Sequence, residues 1–230
     1  MSAIDRPQTE TLPPLVPGQR LDRATFHERY EAMPPSVRAE LIDGVVSMAS
    51  PQGYEHGHFD DLIAGWIFHY RMMTPGLGSA GNATTYLGGE DGKDEVQPDR
   101  QLRIPEESGG SSRIVGGFVS GPPEFVVEVA KTSRKYDLGT KKGAYERTGV
   151  REYLFVGIDP EEVRWFVLRD SLYAEITPGE DGLYHSETFP GLWLDATALF
   201  DEDPISLIAA LERGLAAPGH AAFVGRLAGR

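Results

Sequence analysis

Two hydrophobic rhythms alternate along the chain. From Glu55 to Met73, the residues Phe59, Leu62, Ile63, Trp66, Ile67 and Tyr70 recur at i, i+3, i+4, i+7 and i+8. That spacing predicts an amphipathic helix laid on a sheet. Ile205, Ile208, Ala209 and Leu211 repeat the helical pattern between Pro204 and Leu215, with Gly214 near its end. The run Phe125-Val126-Val127-Glu128-Val129-Ala130 has no such period. Bounded by Pro122-Pro123 and a polar turn, it predicts a strand covered on both faces. Glu152 to Ile158, closed by Asp159-Pro160, reads as another buried strand.

Shorter signals fill the intervals. Asp43-Gly44, between Ala39 and Met48, predicts a two-residue hairpin. Asn82 to Leu87 and Val96 to Ile104 read as strands joined through an acidic turn at Glu90 to Glu95. Val163 to Leu168 and Leu172 to Ile176 form a hairpin across Arg169-Asp170-Ser171, and Leu183 to Thr188 adds an edge strand. Thr25 is placed to cap a helix that Pro34-Pro35 ends, and Asp137 to cap one running to Thr148 before Gly149. Pro105 to Gly121 reads as a Gly/Ser-rich insertion. The order implies a mixed α/β (α+β) domain over residues 21–200, with a central sheet flanked by helices. Residues 1–20 read as a disordered tail, and residues 201–230 as a helix followed by a loose tail.

Composition narrows the function. The 230 residues hold no cysteine, which excludes a disulfide framework, a thiolate zinc site and a cysteine nucleophile. No apolar run approaches the ~20 residues of a membrane span, and no signal pattern opens the chain, so a cytoplasmic protein is expected. With 35 acids against 22 bases, the net charge of −13 opposes easy binding to a duplex. The bases cluster, however: Lys131, Arg134, Lys135, Lys141, Lys142, Arg147 and Arg151 lie in one stretch.

That stretch also holds the candidate chemistry. Glu128 sits in an apolar run where a carboxylate is rarely left unpaired. With Asp99, which follows Pro98 at the end of an extended segment, it can converge on one divalent cation; oxygen ligands suit magnesium, manganese or calcium. Blander readings exist for each residue: Asp99 as a turn former, Glu40 as a solvated strand residue, Glu128 and Lys141 as a buried ion pair. His56 and His58, two apart, do not share a helix face. They read as cap or surface histidines rather than a histidine-pair metal site.

Taken in order, several motifs resemble the PD-(D/E)XK nuclease superfamily, and more closely its Uma-type branch, a bacterial family of restriction-endonuclease-like proteins. They are Glu40-Leu41-Ile42-Asp43-Gly44, Ser50-Pro51 with His56, Pro98-Asp99, Glu128-Val129, Asp137 with Lys141 and Tyr145, and Gly149-Val150-Arg151-Glu152-Tyr153. The resemblance implies a restriction-endonuclease-like core and an endonuclease acting on nucleic acid, DNA first, with Mg2+ or Mn2+ as cofactor. It implies Asp99 and Glu128 as metal-binding acids and Glu40 as a further acid, and the Val129 carbonyl, next to Glu128, is a geometric candidate for a further ligand. It also implies a homodimer or higher homo-oligomer. In the superfamily pattern a lysine stands two residues after the second acid, where this chain has Ala130. Lys141, on the following helix, matches the lysine that the branch uses instead, with His56, Lys131 and Tyr145 as accessory candidates. Arg134, Lys135 and Lys142 are the candidate nucleic-acid contacts. Two other readings are a non-enzymatic member of the same fold and an acid-pair glycoside hydrolase. The second is disfavoured because Trp66, Trp165 and Trp193 lie in core-like positions or outside the motifs.

Overall fold

The computed structural model describes residues 12–89 and 91–229. Helix α1 (Arg23–Glu31) begins at Asp22, whose carboxylate accepts from the Thr25 N–H at 2.9 Å and the Thr25 hydroxyl at 2.7 Å. The cap is therefore Asp22, and Thr25 is its partner inside the first turn. Strands β1 (Ala39–Ile42) and β2 (Val45–Met48) turn through Asp43 and Gly44 at φ 53° and 71°. Both central residues have the positive φ that a two-residue turn of this kind requires. Helix α2 (Tyr54–Met73) buries Phe59, Ile63, Trp66, Ile67 and Tyr70. Strands β3 (Gly78–Ala80), β4 (Thr85–Leu87), β5 (Asp94–Val96) and β6 (Arg100–Arg103) follow.

Where one sheet was expected there are two, each six-stranded, in the orders β2-β1-β5-β4-β8-β7 and β12-β11-β10-β9-β6-β3. The expected strand from Val96 to Ile104 is broken, because Pro98 has no N–H for a ladder. Gln97-Pro98-Asp99 instead carries the chain from β5 in the first sheet to β6 in the second. Residues 105–121 are not a plain insertion. They contain the hairpin β7 (Arg113–Val115) and β8 (Phe118–Ser120), which closes the first sheet. Fully buried Glu124 holds their base, accepting from the Ile104 and Ser111 N–H groups at 2.7 Å each.

The second sheet carries the core. Strand β9 (Phe125–Ala130) is buried throughout and pairs in parallel with β10 (Glu152–Ile158). Alternation sends Phe125, Val127 and Val129 toward α2, into a cluster with Trp66 and Trp165. Val126 and Ala130 face the other way, toward Tyr145, Tyr153 and Phe155, and Glu128 shares their face. Between β9 and β10 the chain forms α3 (Arg134–Tyr136), a π-helical turn (Asp137–Lys141) and α4 (Lys142–Thr148), stopped by Gly149 at φ 91°. Asp137 is thus inside a continuing helical path at φ −69° and is not its cap.

Strands β11 (Glu161–Arg169) and β12 (Leu172–Ile176) form the expected hairpin. The expected edge strand near Leu183 is a separate small hairpin, β13 (Tyr184–His185) with β14 (Trp193–Leu194). Helices α5 (Ala196–Phe200), α6 (Pro204–Leu215) and α7 (Pro218–Leu227) end the chain. Helix α7 replaces the expected loose tail, anchored by buried Phe223 and His220. At the other end Leu15 is buried against Phe26, Leu41 and Val46, and Gly18 N–H donates to the Val46 carbonyl. Residues 12–20 therefore pack on the first sheet, while the rest of the expected disordered tail, residues 1–11, lies outside the described residues. No helix among the described residues is long and apolar enough to cross a membrane.

Candidate active site

The two sheets meet around a cavity of about 730 Å³. Glu40 reaches it from β1, Asp99 from the crossing between sheets, Glu128 and Val129 from the end of β9, and Lys141 from the π turn. Each position follows from its element. Pairing between β6 and β9 stops at Val127, so the Val129 N–H is free to donate to Asp99 Oδ2 at 2.9 Å. On the α4 side, Lys141 Nζ donates to Glu128 Oε1 at 3.0 Å and stands 3.1 Å from Glu40 Oε1. Tyr145, one turn further on, donates its hydroxyl to the same Glu128 oxygen at 2.5 Å. Glu40 Oε1 also accepts the Gln97 N–H at 2.8 Å, which ties β1 to the Pro98-Asp99 crossing.

Charge is concentrated here in a water-poor place. Burial pushes Glu128 well above the usual carboxylate range; Lys141 opposes this, and Asp99, Asp137 and Glu40 add to it. Burial acts to lower Lys141, but Glu128, Glu40, Asp137 and Asp99 outweigh it and hold the ammonium protonated well above its ordinary value. Asp137 is pushed up to about 6 by burial against the pull of Lys141. Asp99 runs the other way: burial raises it, yet contacts with His56, Lys141 and the Val129 N–H leave it below its ordinary value.

The donor set fits a hard divalent cation. The hydrogen bonds of Asp99 and Glu128 fall on one oxygen each, leaving Asp99 Oδ1 and Glu128 Oε2 without a hydrogen-bond partner among the described residues of the cavity. Magnesium is commonly held by one or two carboxylates with waters completing the octahedron. The described residues form no ready-made cluster of three acidic or histidine ligands. Glu40, expected as a further ligand, does not join Asp99 and Glu128 directly, because the Lys141 ammonium lies between it and Glu128.

The other expected residues divide. His56 lines the cavity with Nε2 3.6 Å from Asp99 Oδ2, so it is not a surface histidine, whereas His58 points away toward Glu202. Lys131 also lines the cavity, exposed and paired with Glu55. The expected nucleic-acid contacts are not gathered there. Arg134 is paired with Glu162, Lys135 is exposed outside the cavity, and the Lys142 ammonium sits 4.5 Å from the centre of the Phe166 ring. Glu162 claims Arg134 and the Phe166 ring claims Lys142, which adjacency in sequence did not reveal. Arg38 and Tyr54 line the cavity without having been singled out, and Asp137, named as a cap and motif residue but not as a site residue, lines it too. The signal for Asp137 was its position four residues before Lys141; Tyr54 stands at the helix start outside the apolar repeat.

The sequence pattern of the Uma2 family, described as "Putative restriction endonuclease", matches residues 24–197, and the chain belongs to that family. Among solved structures it is similar to a putative nuclease belonging to DUF820 from Anabaena variabilis ATCC 29413. The TM-score is 0.59 at 15% identity, over 76% of this chain and 96% of that one. No curated protein matches the chain.

Proposed function

We propose that the protein is a divalent-metal-dependent endonuclease hydrolysing phosphodiester bonds of nucleic acid, DNA in the first instance. The observation that carries this reading is the cavity shared by Asp99, Glu128 and Lys141, with one oxygen of each carboxylate unclaimed. A bound Mg2+ or Mn2+ would acidify a water and offset charge growing on the phosphate. Asp99 and Glu128, with the Val129 carbonyl beside them, would hold it. Lys141 keeps its proton, so its part is to orient the attacking water and stabilise negative charge, not to accept a proton. Tyr145 and Glu40 fix the ammonium and carboxylate in place. His56 stands beside Asp99 and supports its ionised form. A homodimer would bring two such sites together. Plasmid and oligonucleotide cleavage in Mg2+ tests the proposal. The wild type should cut, and Glu128→Gln, nearly isosteric, should lose at least about a hundredfold in rate, a loss of ~2.7 kcal/mol in transition-state stabilisation. Equal cutting by Glu128→Gln, or none by the wild type in any divalent cation, would overturn it.

A further inference from the structure

One large exposed side chain at the site is an aromatic ring. Tyr54, the first residue of α2, is 85% exposed and lines the same cavity as Asp99 and Glu128. Its ring lies nearly parallel to that of His58, at 13° with centroids 5.9 Å apart. His58 is itself set by Glu202, its Nε2 2.9 Å from Oε2 though off the line of a hydrogen bond. Tyr54 is therefore oriented from one side while contributing almost nothing to the core.

The charge around it is poorly suited to a duplex. Of the basic residues lining the cavity, Lys141 is buried between Glu128 and Glu40, and Lys131 is paired with Glu55. Arg38 is not engaged by a carboxylate among the described residues; it donates to the Asn82 side chain at 3.2 Å. Duplex affinity depends on many cation–phosphate contacts, and this rim supplies few. A base stacked on an aromatic ring needs no such contacts and is available wherever a base is unpaired.

We propose that Tyr54 is a stacking platform for an unpaired nucleobase, so that the site takes single-stranded or locally unpaired nucleic acid in preference to intact duplex, with Arg38 at a neighbouring phosphate. This rests on the phosphodiester-cleaving reading of the same cavity. Stacking is indifferent to the sugar, so single-stranded DNA and RNA share the chemistry.

The test is fluorescence anisotropy of the full chain in EDTA, with a labelled oligothymidylate, an oligouridylate and a hairpin duplex of matching length, across a salt series. Single strands should bind roughly tenfold more tightly than the duplex, with a shallow salt slope. Tyr54→Ala should weaken single-strand binding roughly tenfold, Tyr54→Phe should restore it, and duplex binding should stay unchanged. If Tyr54→Ala binds single strands like the wild type, if Tyr54→Phe is as weak as Tyr54→Ala, or if the duplex binds more tightly, the inference is wrong while Mg2+-dependent cleavage can still stand. If no nucleic acid binds and no cation supports cleavage, the phosphodiester-cleaving reading falls and takes the inference with it.

Discussion

Lys141 and Lys142 are adjacent and have opposite surroundings. Lys141 is buried between two carboxylates, and Lys142 lies against the Phe166 ring, with Tyr173 beyond. Lys141→Ala should abolish cleavage. It should also lower stability by up to ~3–5 kcal/mol, since one partner of a buried ion pair is removed; the existing tendency of Glu128 to hold a proton should soften that cost. Lys142→Ala should leave cleavage intact and cost about 1 kcal/mol, the worth of a half-buried cation–π contact. Cleavage assays with urea melts of both variants check this; full cutting by Lys141→Ala together with loss in Lys131→Ala would move the role to Lys131. The pair reading of Glu128 and Lys141 was legible in sequence, because a carboxylate in an apolar run needs a partner and the helix spacing placed Lys141 and Tyr145 on one face. The fate of Lys142 and Arg134 was not legible. It depends on Phe166 and Glu162, which only the pairing of β10 with β11 brings near.

The same division holds for elements. Helix α2 and strands β9 and β10 are strongly periodic or continuously apolar, and the sequence marks them clearly. Strand β6 is shorter than the strand expected from Val96 to Ile104 because Pro98 marks a change of sheet as readily as a turn, and neither sheet can be seen from one strand. Helix α7 was missed because its anchors are few. One of them, His220, packs beside Tyr70, with Nδ1 donating to the Leu215 carbonyl at 3.1 Å and Nε2 2.9 Å from the Thr74 hydroxyl. Burial depresses its pKa below the ordinary 6.5. The unfolded chain therefore binds this proton more readily than the folded one, and the associated stability is present above about pH 6.5 and lost as pH falls through the folded value. Thermal melts of wild type and His220→Gln between pH 5 and 8 should show the wild type losing more stability on the acid side of that window. Parallel curves would remove His220 as the cause.

For the whole molecule, acidity and assembly matter most. A net charge of −13 leaves little general attraction for a polyanion, so recognition must come from the cavity itself. Light scattering should report a dimer mass, as expected if two sites act together. Monomer across the full concentration range would remove the paired-site arrangement and leave each chain cutting alone.

The central claim is that Asp99 and Glu128 hold one divalent cation. A ligand that binds only the folded state raises its melting temperature, so thermal unfolding of wild type and Asp99→Ala, with Mg2+ or Mn2+ and with EDTA, reads the claim directly. The wild type should gain melting temperature with the cation, by ~2.7 kcal/mol of stability at a hundred times its Kd. Asp99→Ala should show no gain, and its apo form should melt no lower than expected for the lost Val129 hydrogen bond, because repulsion with Glu128 is relieved. An equal metal-dependent gain in wild type and Asp99→Ala would contradict the account.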